Sequence, residues 1–457
     1  MRITTSHPVV HEACRIALSD IQSNIREHRS GLLETPRPVI MAGGDYDTPW
    51  TRDASINVYN CLCYDQREVS RDTLLSVMEK REDGKTYIGG QYWDSIIFAL
   101  GAQRYVQATG DEGFLSLALE AVENSLLFFE ETEYSMDYGL FRGPAVYGDG
   151  VSAYPPEYGD AGKSGFILDF TRAHPGKKIP VGQGMPMHAL STNCVYADAY
   201  RFLHEHTGRE EFMEKRLRLE KAIRDNFLDG GRLKYLTGKY GDFYEQEGLG
   251  VALGLKFCIL PDTVLDHVHV SPNGIPCVHP SYARYAKGTD VGRHSGTVWP
   301  FIQCFYANEL ARRNLWERFA FEFFTLARNA ARDGQFYEIY HPDTGLPYGG
   351  LQEYYFRDKP MAVTRSCRRQ TWNATGFLSM VLYSIAGMRH TEDSLVFSPR
   401  LPKGMRDIRI QGILYRGAVI DLQITECESA GTPGEGIVSR QAKGDIAIRI
   451  EVERSPE

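Results

Sequence analysis

The sequence predicts a mainly-α fold: a ring of helical hairpins over residues 1–388, then a small antiparallel β domain over 389–457. Three observations carry this. Helix-period spacing of apolar residues dominates from residue 7 to about 388, the helical stretches arrive in pairs divided by loops rich in Gly, Pro and Asp, and after Gly387 the period drops to two. The candidate helices run over about 7–28, 51–64, 70–80, 91–109, 112–132, 188–207, 210–227, 246–258, 295–313, 315–332 and 370–388, with glycine stops at Thr109-Gly110 and Thr207-Gly208. In 91–109, Ile96, Ile97, Leu100 and Tyr105 cover more than one face, so that helix is expected to be buried nearly all round. By contrast 210–227 is charged on one side, with Glu210, Glu211, Glu214, Lys215 and Arg216. Alternation of buried and half-exposed helices is what an inner ring wrapped by an outer ring requires. Beyond them, Ile420, Leu422 and Ile424, and then Ile446, Ile448, Ile450 and Val452, alternate with polar residues as strands do.

Three stretches break the helical pattern: 141–186, with nine glycines and six prolines, 259–293 and 334–369. Ordered loops longer than ~15 residues are uncommon in compact domains and tend to be functional. Composition narrows what they serve. With 42% hydrophobic and 24% charged residues the 457-residue chain can bury a sizeable core, and a net charge of -8 gives no basic field to collect a phosphate backbone, so nucleic acid is excluded as a partner. Nine cysteines with only Cys61-Leu62-Cys63 closely spaced match neither a zinc knuckle nor a disulfide scaffold, and no EF-hand run is present, so no metal or cofactor is expected. No run of 18 apolar residues occurs and the first thirty residues hold no signal-like core, so the chain reads as soluble and cytoplasmic, without a membrane partner. A secreted chain with its signal removed would read the same.

Four of five tryptophans lie in short polar motifs at expected helix starts: Trp50 in PWTRD (49–53), Trp93 in QYWD (91–94), Trp299 in HSGTVWP (294–300) and Trp372 in RQTWNA (369–374). A Trp flanked by Arg, Asp, His and Asn suits a wet cleft whose ligand has an apolar face and many hydroxyls, as a sugar does. If the hairpins form a ring, the starts of its inner helices collect at one end. Asp53, Asp94, Asp149 and Glu338 then become neighbours by topology. Asp53 and Asp94 at helix starts are equally explained by the helix dipole, and hydroxyl binding or capping suits them better than catalysis.

Glycoside cleavage needs two carboxyl groups in different protonation states. Asp149 in GPAVYGDGVSAYP (143–155) sits between Gly148 and Gly150 near Tyr147 and Tyr154, and is read as the general acid. Glu338 in QFYEIYHPDTGLP (335–347), ringed by aromatics, is read as the general base, with Glu353 in LQEYYF (351–356) its rival and Asp343 a turn residue. A lone carboxylate among aromatic rings is costly unless something uses it. His294 and Ser295 are candidates for a substrate hydroxyl or, in a phosphorolytic enzyme, a phosphate at a helix start, and capping by Ser295 competes. His188 and Asn193 in MHALSTN (187–193) are possible subsite residues, for which capping is again the alternative.

At these motifs the chain resembles the (α/α)6-barrel, six-hairpin glycosidases, a superfamily that includes trehalase, processing α-glucosidase I, bacterial mannosylglycerate hydrolase and the debranching glucosidase domain. FYEIYHPDTG (336–345) is similar to the E-x-Y-N-P-x-T-G stretch of the α-glucosidase I and mannosylglycerate hydrolase branch, which implies the base on Glu338, with His341 in place of Asn. GGQYWDS (89–95) resembles trehalase's Y-Y-W-D-S, while HSGTVWP and RQTWNATGFL (369–378) are like the superfamily's G-x-x-W-P and W-S-A helix starts, with Asn373 where Ser is commoner. The E-S-G-W-D motif of the acid is absent, and its nearest echo, TEYSMDYGLF (132–141), makes Asp137 the rival of Asp149. From LVFSPRLPKGM (395–405) onward the chain looks like the small β domain that follows the barrel in α-L-rhamnosidases. The resemblance implies an (α/α)6 toroid and an inverting, exo-acting hydrolase of an oligosaccharide or small glycoside, most like an α-glucosidase. Asp149 and Glu338 would be catalytic, with Trp50, Arg52, Asp53, Trp93, Asp94, Tyr147, His188, Asn193, His294, Trp299, Glu353 and Trp372 around the sugar. An inverting phosphorolytic enzyme on the same fold, with an anion pocket at His294, Ser295 and Thr297, and a carbohydrate-binding toroid without turnover are the alternatives.

Overall fold

A computed structural model describes residues 1–149, 153–159, 186–354, 359–427 and 434–453. A helix forms in each expected stretch, though residues 25–28 and 78–80 are strands and 91–97 a turn and a 3-10 segment rather than helix: α1 (Pro8–Ser23), α2 (Thr51–Asn60), α3 (Arg67–Ser76), α4 (Phe98–Thr109), α5 (Glu112–Thr132), α6 (Leu190–Thr207), α7 (Glu210–Phe227), α8 (Gly248–Lys256), α9 (Pro300–Arg312), α10 (Trp316–Asp333) and α11 (Thr371–Ser379), the last running on as a π-helical turn to Ile385. Their ends follow local chemistry. Pro300 opens α9, where a missing N–H costs nothing, and Gly110, Gly208 and Gly334 close α4, α6 and α10 in the left-handed conformation that lacks a penalty only for glycine.

Six helices touch in a closed cycle: α2 packs on α4, α4 on α6, α6 on α8, α8 on α9, α9 on α11, and α11 back on α2. Every residue of α2 is buried, as are nine of the twelve residues of α4. The close approach needs small residues. A Cβ on Gly101 of α4 would come within 2.8 Å of the Ser55 backbone of α2, and one on Gly376 of α11 within 2.9 Å of Cys304 Sγ on α9. The other helices back this cycle and bury one stripe only. Thus α7 buries Phe212, Leu219, Ile223 and Phe227, with Glu220 beside them, while Glu210, Glu211 and Glu214 face outward, and α1 packs across α10 and α11.

Strands exceed what a mainly-α class implies, because short two- to four-residue pairs frame several helix ends. The C-terminal module also departs from expectation. Its strands are β2 (Met388–His390), β3 (Ser394–Phe397), β4 (Asp407–Tyr415), β5 (Gly417–Cys427), β6 (Gly436–Ser439) and β7 (Lys443–Glu453), and β1 (Arg2–Thr4) from the other end of the chain joins them. One sheet has the order β1-β4-β5-β7 and the other β2-β3-β6. The module is not wholly antiparallel: β5 and β7 run parallel, Ile420 opposite Ile446 and Ile424 opposite Ile450. A parallel pair needs a crossover, and the excursion through β6 in the second sheet supplies it. As the alternation predicts, Ile420, Leu422 and Ile424 are buried.

Candidate active site

The starts of α2, α9 and α11 and the loops before α6 and α11 surround a cavity of about 590 Å³. Asp149 and Glu338 both line it. Glu338 follows α10 by five residues, where its backbone N–H bonds Cys367 O at 2.9 Å and Asn373 Nδ2 donates to its carbonyl at 3.1 Å. Its carboxylate is fixed on both sides: Arg293 Nη2 donates to Oε2 at 2.8 Å and the Tyr46 hydroxyl to Oε1 at 2.8 Å. Arg293 also lies over the Trp299 ring, 5.2 Å from its centre. His341 shapes the turn that follows, accepting from the backbone N–H groups of Asp343 and Thr344 at 3.2 and 3.3 Å.

Arg52 organises the opposite wall. From the first turn of α2 its guanidinium donates to Asp94 Oδ2 at 3.1 Å, Val146 O at 2.8 Å and Asp149 Oδ2 at 3.2 Å. Asp149 Oδ1 stands 3.5 Å from His294 Nε2. His294 is stacked on Trp299, 4.9 Å between ring centres, and burial pushes its pKa down to about 3, so the ring is neutral. Electrostatics split the three aspartates. Burial would raise Asp149, but the charge of Arg52, its hydrogen bond and the charge of Arg293 outweigh it and hold that carboxyl below the ordinary range. Burial dominates for Asp53 and Asp94, which are pushed up to about 7 despite Arg52. Gln370 Nε2 donates to Asp53 at 3.4 Å across the cavity floor.

Of the residues singled out in the sequence, Trp50, Arg52, Asp53, Asp149, His294, Trp299, Glu338 and Trp372 line this cavity. Trp50 is 42% exposed at its mouth, and the Trp372 indole N–H is buried without an acceptor among the described residues. Others lie outside the lining. Trp93 is fully buried because Gly143 packs on its Cβ, and Asp94 serves only to anchor Arg52. Tyr147 donates to Cys277 O at 3.0 Å, Asn193 clamps the backbone of Phe141 and Ala189, and His188 bonds Thr237 O at 3.1 Å with its pKa lowered to about 4 by burial. These are supports behind the wall rather than ligand contacts. Ser295 and Thr297 are likewise spent on the protein: Ser295 Oγ accepts from Tyr282 N at 2.8 Å and Thr297 Oγ1 donates to Arg293 O at 2.6 Å. Asp137 is exposed in a turn away from the cavity. The backbone of Glu353 belongs to the strand Leu351–Tyr354, and its side chain lies outside the described residues. Sequence reasoning missed Tyr46, Arg293, Gln352, Thr364, Arg365 and Gln370, all in the lining. Arg293 and Gln370 each stand beside or within a motif that was read, which is the only local signal they give.

One buried carboxyl behind the site yields a stability prediction. Glu247, at the start of α8, accepts from the Ser191 N–H of α6 at 3.0 Å, while its other oxygen has no partner among the described residues, and burial raises its pKa from 4.5 to about 8. A raised pKa favours the folded state while the proton is on. The contribution is therefore complete below about pH 4.5 and is lost as pH rises through about 8. Urea titrations of wild type should show stability falling over that window, and Glu247→Gln should remove a share on the order of a few kcal/mol. Parallel curves for the two proteins would refute it.

Comparison with known proteins agrees with this architecture. Residues 388–430 match the model of the glycosyl hydrolase family 65 C-terminal domain. No curated protein matches. Among solved structures, a protein titled sialidase superposes over 91% of this chain and 37% of its own with TM-score 0.64 at 14% identity. The GH78 rhamnosidase of Bacillus sp. GL1 does so over 99% and 44% with TM-score 0.61 at 13% identity. The chain thus spans well under two thirds of both. The GH63 mannosylglycerate hydrolase of Thermus thermophilus, solved with glucose, is covered over 99% of its length and 81% of this chain, with TM-score 0.58 at 14% identity. At these identities the likeness is one of fold: this chain shares the fold of these solved proteins. Within that fold, no helix among the described residues is long and apolar enough to cross a membrane.

Proposed function

We propose that the protein is a glycoside hydrolase that cleaves an exo-positioned sugar, α-glucoside-like, from an oligosaccharide or small glycoside with inversion, and that its closed helix cycle is an (α/α)6 toroid. The observation that carries this is that Asp149 and Glu338, 189 residues apart in sequence, line one cavity that also presents Trp50, Trp299 and Trp372. Glu338, fixed by Arg293 and Tyr46, removes a proton from the attacking water. Asp149 is reachable, its side chain 27% exposed, and gives its proton to the departing oxygen. Asp53, at 3% exposure in the first turn of α2, accepts hydroxyls of the bound sugar beside Arg52. The orphan Trp372 N–H is a further donor for the sugar.

A low Asp149 pKa places the protonated donor on the acidic side, so kcat/KM should decline as pH rises toward neutrality. One observation favours a second reading, in which Asp53, pushed up to about 7, is the donor. Activity would then persist to about pH 7 and fall above it. Proton NMR of the first product anomer from a panel of aryl glycosides tests the main reading. A product with inverted configuration supports it, a retained configuration rules out the inverting mechanism, and no turnover on any member favours sugar binding without catalysis.

A further inference from the structure

A larger cavity, about 990 Å³, opens at the other end of the helix cycle, where the C-terminal ends of α2, α4, α6, α8 and α9 meet β2 and the segment after β3. Its charge runs against that of the chain. Seven arginine and lysine side chains line it against two carboxylates, Glu205 and Glu309, in a protein of net charge -8. Four of the seven are neutralised: Arg201 by Asp198 and Glu205, Arg216 by Glu220, Arg312 by Glu309 and Arg389 by Glu435. Arg104, Lys256 and Arg400 have no carboxylate within ion-pair distance among the described residues.

These three cations are held by aromatic rings instead. The Arg104 guanidinium carbon lies 5.0 Å from the Tyr59 ring centre and 4.7 Å from that of Tyr383, Lys256 Nζ lies 4.4 Å from Tyr59 and bonds its hydroxyl, and Arg400 sits 4.8 Å over Trp316. Cation–π contact positions a cation without cancelling its charge. Nε of Arg104 and Nε1 of Trp316 are shielded from solvent without an acceptor among the described residues. The local potential is felt by Tyr59: burial would push its phenol up, yet Lys256 and Arg104 outweigh burial and hold it below the ordinary value. Unpaired cations and orphan donors together in one cavity call for a multivalent oxyanion. The space exceeds what a bare phosphate fills, and the amide of Gln107 stands in the lining as a partner for a hydroxyl beside it.

We propose that this second cavity binds a phosphorylated sugar, its phosphate received by Arg104, Lys256 and Arg400. Calorimetric titration of the full chain with inorganic phosphate, glucose 6-phosphate and glucose tests this. Saturable binding of both anions is expected, with glucose 6-phosphate at least tenfold tighter and glucose silent. Lys256→Gln with Arg400→Gln should weaken both anions at least tenfold and leave glycosidase turnover unchanged, since neither residue touches the catalytic cavity. Gln107→Glu adds a carboxylate to the lining while keeping all three cations, and it should weaken both anions similarly if the double variant fails to fold. Absence of saturable anion binding, or binding unchanged in the variants, would overturn the site. Equal affinity for the two anions would overturn the assignment of a sugar phosphate.

Discussion

Glu338→Gln is expected to lower kcat by about 10²–10⁴ or more, the usual worth of a positioned base, while the protein folds normally. The amide keeps the shape, its one oxygen can accept from Arg293 and its NH2 can donate to the Tyr46 hydroxyl, so the loss falls on proton removal rather than on structure. Steady-state kinetics paired with a thermal melt separates the two. Near-normal kcat in a folded variant would exclude Glu338 as the base.

Asp149→Asn should be as damaging on a substrate whose leaving group needs a proton, again about 10²–10⁴ in rate. It should be far milder on a glycosyl fluoride or a dinitrophenyl glycoside, whose leaving groups depart unaided, with the deficit shrinking to about tenfold. Asp53→Asn is the companion measurement. As a hydroxyl acceptor its loss should raise KM and depress turnover for both kinds of substrate alike. If the activated leaving group instead rescued Asp53→Asn and not Asp149→Asn, the donor would be Asp53, and its carboxyl near pH 7 would be the reason.

The helices were legible because burial enforces a period over ten or more residues: α5 and α7 stand at the expected bounds, and α4 is buried on more than one face. The short strand pairs at helix ends were not, since two or three residues carry no period. A similar limit applies to the site. Glu338 stood out by its own turn and aromatic neighbours. Arg293, which grips it, is 45 residues away in sequence and has nothing distinctive of its own. Trp93 and Asn193 lay in polar motifs that looked ligand-facing, but whether an indole faces a cavity or a neighbouring loop is decided by tertiary partners such as Gly143. Local sequence also cannot reveal that one guanidinium, Arg52, would interact with Asp53, Asp94 and Asp149 at once.

The strand β1 is paired with β4 through Arg2, Ile3 and Thr4, so residues 2–4 are stitched to a module made by residues 388–453. Everything between is held as a loop closed on itself. A ribosome releases β4 about four hundred residues after β1, so β1 must wait unpaired through the synthesis of every helix between them.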